Sequence, residues 1–230
     1  PRAAALANGT ISHALDYDDT HFAYIGHPSV AIYPAALAAA EEANRSAVDL
    51  VNAFLVGAEA ACRIGMVLGR QHYDAGFHQT ATSGAFGATI AACRLYNMEP
   101  AGVAAALGLV SSRASGLKSQ FGTMGKPFNA GAAASNGIEA AGLARRGFTA
   151  SDDAFAGPQS FLVSHHADPD GASQIVDRVL IVGCGTALHS GLVGRYLIEE
   201  WGGVATEADV ASEWRYRNGV FDPQTLVLRS

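Results

Sequence analysis

Apolar positions recur every three or four residues through most of the first 150 residues, which is the spacing of amphipathic helices rather than of strands. The helical segments predicted from this spacing are 2–15, 31–43, 47–69, 78–96, 100–116 and 130–146. Many positions that would face a neighbouring helix are Ala, Gly or Ser, and small side chains let helix axes approach closely. The pattern therefore predicts a compact helical bundle.

The pattern changes around residues 166–174, a polar stretch with Pro and Gly that is typical of a linker. Beyond it we predict strands at 176–183, 204–210 and 225–229 and an amphipathic helix from about His189 to Trp201. Strand, glycine turn, helix and strand in this order indicate the beginning of a βαβ fold. The predicted fold is mainly α: a helical domain over 1–166, a linker over 167–175 and a partial α/β segment over 176–230.

Composition narrows the class of protein. Of the 230 residues, 49% are hydrophobic and 16% are charged, the balance of a packed globular protein. The net charge is −6 and the basic residues do not cluster, so no nucleic acid is expected as a partner. Apolar runs are interrupted well before about 18 residues, so no membrane span is expected. Three scattered cysteines favour a reducing cytoplasm over a disulfide framework.

The first candidate site motif joins three carboxylates to a histidine. Residues 16–21 are Asp-Tyr-Asp-Asp-Thr-His, and His27 follows shortly before a proline. If the first helix continued, Asp16, Asp19 and Thr20 would share one face. The His27 ring could point back at that face. An Asp/His pair suits proton abstraction beside a carboxylate. The alternative is an exposed acidic helix end, which is the favoured interpretation for Asp18 alone.

The second motif, GFHQTATSG, places His78 at the start of a predicted helix with hydroxyl side chains on the next turn. Such a helix N-terminus can bind an anion. Ordinary N-capping by Thr80, with His78 satisfied locally, explains the pattern equally well. Both interpretations remain open at this level.

The third motif, GTMGKP, contains Lys126, and the only other lysine of the chain, Lys118, lies in the same segment. A lysine in a glycine-rich loop before a helix is a good point charge for a substrate carboxylate. A solvated loop lysine is the alternative, and it is the favoured interpretation for Lys118.

No cofactor or metal motif is expected in this chain. The turn after residues 176–182 fits neither a P-loop nor a dinucleotide-binding motif. His165 and His166, with Asp168 and Asp170, form at most a weak chelating group, and a flexible polar tail is the favoured interpretation.

The three motifs, in this order, resemble the MmgE/PrpD family, which includes 2-methylcitrate dehydratase, cis-aconitate decarboxylase and an iminodisuccinate epimerase. The resemblance runs from about Asn8 (NGTISHALDYDDTH) through GFHQTATSGAFGA and GTMGKPFNAGAAASNGIEAAGLARRGF to about Leu162. It implies an all-helical main domain, a homodimer, no metal and no organic cofactor. The family often has a histidine where this chain has Asn129, and its members carry a preceding helical segment and a following lid domain that also supplies site residues.

The resemblance also implies a set of active-site residues, namely Asp16, Thr20, His27, His78 and Lys126. In the roles we assign, His27 or Asp16 moves the proton. Lys126, His78 and Thr20 hold the carboxylates of the substrate.

The last part of the chain resembles the start of a sugar-isomerase (SIS) domain of glutamine–fructose-6-phosphate aminotransferase. In that family a Cys-Gly-Thr-Ser turn helps to cradle a sugar phosphate, and the corresponding residues here are Cys184, Gly185, Thr186 and Ala187. The two resemblances together imply that the chain combines parts of two kinds of protein, joined near residues 166–174.

The leading hypothesis from the sequence is a cofactor-independent lyase acting on a small di- or tricarboxylic acid. Two alternatives stay open. One is a phosphosugar-binding SIS-type fragment, for which Cys184, Gly185 and Thr186 are the candidate binding residues. The other is a chimeric fragment without activity, because incomplete domains leave apolar surface in water.

Overall fold

A computed structural model describes residues 1–22 and 24–168 and the three strands of the last part of the chain. The chain divides into two units, Pro1–Ala172 and Ser173–Ser230. The first unit is helical and the strands belong to the second, so the predicted mainly α fold is confirmed.

The helices of the first unit follow the predicted segments closely. They are α1 (Arg2–Ser12), α2 (Ser29–Glu42), α3 (Ala47–Asp74), α4 (Gln79–Leu95), α5 (Pro100–Ser111), α6 (Gly125–Ala144) and the short α7 (Phe161–Ser164), with a 3₁₀ turn at Lys118–Gln120. One boundary was wrong in a way that matters for the site. The first helix ends at Ser12, so the acidic motif does not lie on a helix face.

Local sequence explains several helix ends. Ser46 accepts a hydrogen bond from the backbone N–H of Asp49, whose carboxylate accepts one from the backbone N–H of Ser46, and this reciprocal capping box begins α3. Pro100 occupies the first position of α5, where its missing N–H costs nothing.

Helix α4 forms the centre of the bundle. All but two of its 17 residues are buried, and it packs against α2, α3, α5 and α6. Such close packing needs positions without a side chain. A Cβ on Gly57 of α3 would lie 2.6 Å from the carbonyl oxygen of Gly87, and a Cβ on Gly87 would lie 2.6 Å from that of Gly57. The two helix backbones therefore meet at this glycine pair.

Helix α3 is the one described helix that is long and apolar enough to cross a membrane by length and composition. A core helix of a globular protein passes the same test, and several α3 residues, including Ala53, Ala61 and Leu68, belong to the hydrophobic core. The absence of a membrane segment therefore stays a prediction.

The second unit contains three described strands, β1 (Arg178–Gly183), β2 (Ala205–Val210) and β3 (Thr225–Arg229). They form a parallel sheet in the order β2-β1-β3, with Arg178 opposite Ala205 on one side and Thr225 on the other. Parallel neighbours require a crossover connection, as a βαβ unit provides. The predicted helix at His189–Trp201 lies outside the described residues.

Replacing Gly57 by alanine tests the contact between α3 and α4. The added methyl meets backbone rather than a flexible side chain, so Gly57→Ala is expected to lower the free energy of unfolding by about 1–3 kcal/mol. Urea unfolding followed by helical circular dichroism measures this value.

Gly142→Ala in α6 is the matched control, because its added Cβ would approach only the mobile end of Arg146. There the higher helix propensity of alanine is expected to raise stability by about 0.5–1 kcal/mol. Equal effects of the two substitutions would show that the helices do not pack at this glycine pair.

Candidate active site

The candidate site begins where α1 stops. His13 is the C-cap of α1, and its Nδ1 donates a hydrogen bond of 3.0 Å to Asp18 Oδ1. Asp16 has a φ of +58°, a left-handed conformation that no helix continues through. The expectation that Asp16 and Thr20 share a helix face is therefore wrong. A tight turn held by His13 and Asp18 replaces the predicted last turn of the helix.

The segment that carries His27 is fixed on the first turn of α4. The backbone N–H of His27 donates to Thr80 Oγ1 at 3.1 Å, and the hydroxyl of Tyr24 donates to the carbonyl oxygen of Thr80 at 2.9 Å. Gly26 lies so close that a Cβ there would be 2.9 Å from the Thr80 backbone nitrogen. Thr80 thus holds the histidine loop instead of capping its own helix, which corrects the capping interpretation.

Three of the predicted site residues meet in one cluster. Lys126 Nζ donates a hydrogen bond of 2.5 Å to Asp16 Oδ2, and His27 Nε2 lies 3.6 Å from Asp16 Oδ1. The hydrogen bond from Lys126 lowers the pKa of Asp16, so this carboxylate stays ionised at neutral pH. Residues 110 positions apart in sequence are brought together because α6 packs against α1.

Two members of the cluster were missed by the sequence analysis. The Asp18 carboxylate lies between two imidazoles, 3.0 Å from His13 Nδ1 and 3.1 Å from His27 Nδ1, and only 9% of its side chain is exposed. The interpretation of Asp18 as an exposed helix end is therefore wrong. His13 is fully buried, and its five-residue spacing from Asp18 gave no helical signal.

His78 precedes α4 and is almost completely buried. Burial lowers its pKa to about 3, so its imidazole is neutral at physiological pH. The amide nitrogen of Asn129 lies 3.3 Å from His78 Nδ1. With that nitrogen as donor, the ring carries its own hydrogen on Nε2. His78 is thus a neutral hydrogen-bond donor.

An open pocket of about 350 Å³ lies beside these groups. Its lining includes Thr20, His27, His78, Lys126, Arg70, Tyr73 and Phe121. Asp16 borders it through its contacts with Lys126 and His27. Arg70 was not predicted. Arg70 follows Gly69, where a φ of +66° interrupts α3. In the sequence, the glycine before Arg70 is the signal that could have marked this position.

Comparison with known proteins identifies the family of the helical unit. Residues 1–172 match the model of the MmgE/PrpD N-terminal domain, which is three quarters of the chain. The chain belongs to the MmgE/PrpD family. Members of this family are dehydratases and other lyases, so membership supports an enzyme with a lyase-like role.

A short part of this MmgE/PrpD chain is similar to another enzyme. It is 48% identical over 60 residues to a glutamine–fructose-6-phosphate aminotransferase of Streptomyces coelicolor, covering 26% of the chain and 10% of that protein. The aminotransferase of Mycolicibacterium smegmatis is 53% identical over 53 residues, 23% of the chain and 8% of its own length. The chain spans about a tenth of the length of these relatives. The similarity is consistent with the predicted SIS-like part.

The cluster also has the composition of a metal-binding group. One ligand atom each from His13, Asp16, Asp18 and His27 can be chosen so that all lie within 4.8 Å of one another. Lys126 already places a positive charge on Asp16. The expectation that this MmgE/PrpD domain binds no metal stays a prediction.

Other predicted residues lie elsewhere. Cys184, Gly185 and Thr186 are outside the described residues. Lys118 is not a solvated lysine as expected. Its Nζ donates to the carbonyl oxygen of Tyr73 at 2.8 Å and lies 3.6 Å from the centre of the Tyr73 ring. Lys118 therefore contacts Tyr73, which is one of the residues that line the pocket.

Removing Lys126 is expected to raise the pKa of Asp16 to its ordinary value or above, because the hydrogen bond that stabilises the ionised form is lost. A carbon NMR titration of the side-chain carboxylates in Lys126→Met measures this pKa. Lys118→Met is the matched control and should leave the Asp16 titration unchanged, since its ammonium contacts Tyr73. An equal pKa in wild type and Lys126→Met would contradict the ion pair.

Proposed function

We propose that this chain carries the catalytic centre of a cofactor-independent lyase that removes a proton alpha to a carboxylate of a small di- or tricarboxylic acid. The observation that carries the proposal is the cluster of Lys126, Asp16 and His27 at the edge of one open pocket. Membership in the MmgE/PrpD family supports the reaction class.

The cations and hydrogen-bond donors of the pocket suit an anionic substrate. Lys126 and Arg70 supply two cations to the lining, each also paired with a carboxylate (Asp16 and Asp74), and the neutral His78 supplies an uncharged donor. A polycarboxylate needs several such partners at once, because each carboxylate that leaves water must be paired or hydrogen-bonded. Thr20 adds a hydroxyl to the same wall. We assign these four groups to binding of the substrate carboxylates.

Proton transfer is best assigned to His27. Asp16 is held as a carboxylate by Lys126 and is a weak base, since its pKa is lowered. His78 is neutral and its burial disfavours protonation. The His27 ring is 19% exposed and its Nε2 faces Asp16, whose negative charge stabilises the imidazolium formed by proton uptake.

The finer proposal is a substrate that resembles 2-methylcitrate or aconitate. In a dehydration, His27 takes the proton from the carbon alpha to a carboxylate and the carbon–carbon double bond forms. The bond to the hydroxyl breaks, and the hydroxyl leaves as water after receiving the proton from the protonated His27, which returns this ring to its starting form. In a decarboxylation, the carbon–carbon bond to a carboxylate breaks, carbon dioxide leaves, and the electron pair that remains on the substrate takes up a proton delivered by the protonated His27. A cytoplasmic homodimer is part of the proposal, and light scattering tests the dimer.

A second candidate function belongs to the last part of the chain. Three parallel strands with β1 in the middle, and a sequence similar to glutamine–fructose-6-phosphate aminotransferases, favour a phosphosugar-binding segment. Ligands of parallel sheets bind beyond the carboxyl ends of the strands. Cys184, Gly185 and Thr186 directly follow β1 in sequence, so they remain the proposed binding residues.

A thermal-shift screen against citrate-like acids and hexose 6-phosphates distinguishes the two functions. An acid present at about 100 times its dissociation constant stabilises the native state by about 2.7 kcal/mol and raises Tm by several degrees. We expect this shift in the wild type and its loss in Lys126→Met. Acids that give a shift are then tested for turnover by NMR detection of the product.

Arg145→Met is the control for the lost positive charge, because Arg145 ends the same helix as Lys126 but lies over the Tyr96 ring, outside the pocket. Its shift should equal that of the wild type. A shift with acids that survives Lys126→Met would contradict the assigned carboxylate site. A shift with hexose phosphates alone would move the function to the second unit.

A further inference from the structure

We propose that Asp18 and His13 are positioning residues that fix the tautomer of His27 and leave its Nε2 free to take a proton. The proposal rests on the lyase function above and adds two residues to it. The juxtaposition that carries it is a buried carboxylate held between the Nδ1 atoms of two histidines.

The carboxylate dictates which ring nitrogen carries hydrogen. Asp18 Oδ1 accepts the hydrogen bond from His13 Nδ1, and Asp18 Oδ2 lies 3.1 Å from His27 Nδ1. Both of these facing atoms are buried, and neither has a hydrogen bond among the described residues, so the 3.1 Å contact is a close approach of two atoms that lack any other polar partner. An ionised carboxylate only accepts hydrogen bonds. In its uncharged form each ring therefore matches Asp18 when its hydrogen is on Nδ1, the atom through which His13 bonds the carboxylate and His27 faces it.

The opposite nitrogen of His27 then has the properties of a base. With hydrogen on Nδ1, the lone pair of the neutral ring is on Nε2. This atom lies 3.6 Å from Asp16 Oδ1, and His27 is one of the residues that line the pocket. Once Nε2 has taken a proton, Asp16 and Asp18 face the two N–H groups of the ring. Both edges of the imidazolium are then next to negative charge.

His13 anchors this arrangement to the helical bundle. It ends α1, which packs against α2 and α6, and its ring lies 4.8 Å from the His27 ring and 6.0 Å from the His78 ring. Burial lowers the pKa of His13, so this ring stays neutral and does not compete with His27 for the proton. His13, at the end of α1, thereby holds one edge of the Asp18 carboxylate, and the other edge faces His27.

Asp18 is not itself placed to react with a substrate. Its side chain is 9% exposed, and it does not line the pocket that His27, His78 and Lys126 share. Its effect must pass through His27. Loss of Asp18 should therefore lower kcat and leave KM nearly unchanged, because the groups that hold the substrate carboxylates are untouched.

The tautomer of His27 is measured directly by long-range proton–nitrogen NMR on the full chain with labelled histidine. The spectrum is recorded at about pH 8.5, above the ordinary titration range of histidine. The His27 signals are assigned by their absence in His27→Gln. We expect the Nδ1–H form in the wild type. An Nε2–H form in the wild type would overturn the proposal without any variant or any assay of activity.

Asp18→Asn tests the consequence for catalysis. The amide donates to one ring and accepts from the other, so one of the two histidines must change tautomer. We expect the Nδ1–H form of His27 to be lost or mixed, and kcat to fall about 100-fold or more with KM changed less than about threefold. Asp18→Glu, which keeps the carboxylate, should recover part of kcat.

Asp19→Asn is the matched control, because Asp19 is the neighbouring carboxylate and, among the described residues, accepts its hydrogen bonds from Ser29 at the start of α2. It should keep both the tautomer and kcat of the wild type. An unchanged kcat in Asp18→Asn would overturn the positioning role. Absence of turnover in the wild type with every acid would overturn the lyase function, while the tautomer measurement would still decide the arrangement of Asp18 and His27.

Discussion

The close approach of α3 and α4 at Gly57 and Gly87 is the constraint on which the rest of the first unit depends. Helix α4 is enclosed on nearly every side, so its neighbours can surround it only where side chains are small. Close packing of this kind replaces the large aliphatic side chains of an ordinary core with many short-range contacts. It also fixes the position of the first turn of α4, and both His78 and the loop carrying His27 are attached to that turn.

The candidate site is assembled from chain segments that have little regular structure of their own. The described residues between α1 and α2, 13–22 and 24–28, contain no helix, and specific polar contacts hold them instead. Asp18 joins two histidines, Thr80 binds the His27 backbone, and Lys126 reaches Asp16 from the start of α6. A loop fixed at several points by a rigid scaffold can hold reactive groups in place, which is why such loops commonly carry function.

Differences in burial and in ion pairing give the ionisable groups of the site different charges. His78 and His13 are buried, so the pKa of each is lowered and both rings favour the neutral form. Asp16 is more exposed, and Lys126 keeps it charged. His27 is left as the partly exposed ring between two carboxylates. Their surroundings therefore give three histidines different roles, with His78 as a hydrogen-bond donor, His13 as a positioning residue and His27 as the proposed base.

The sequence by itself determined the helical bundle and the strands, because helical and strand periodicities are local properties of the chain. Its motifs, together with the family resemblance, predicted five residues that line or border the pocket. It placed Asp16 and Thr20 on a helix that ends earlier, at Ser12, and it missed His13, Asp18 and Arg70. Only the tertiary structure decided the positions of these residues. Both the carboxylate between two histidines and the pairing of Lys126 with Asp16, 110 residues away, depend on how the helices pack. Periodicity carries no information about such distant contacts.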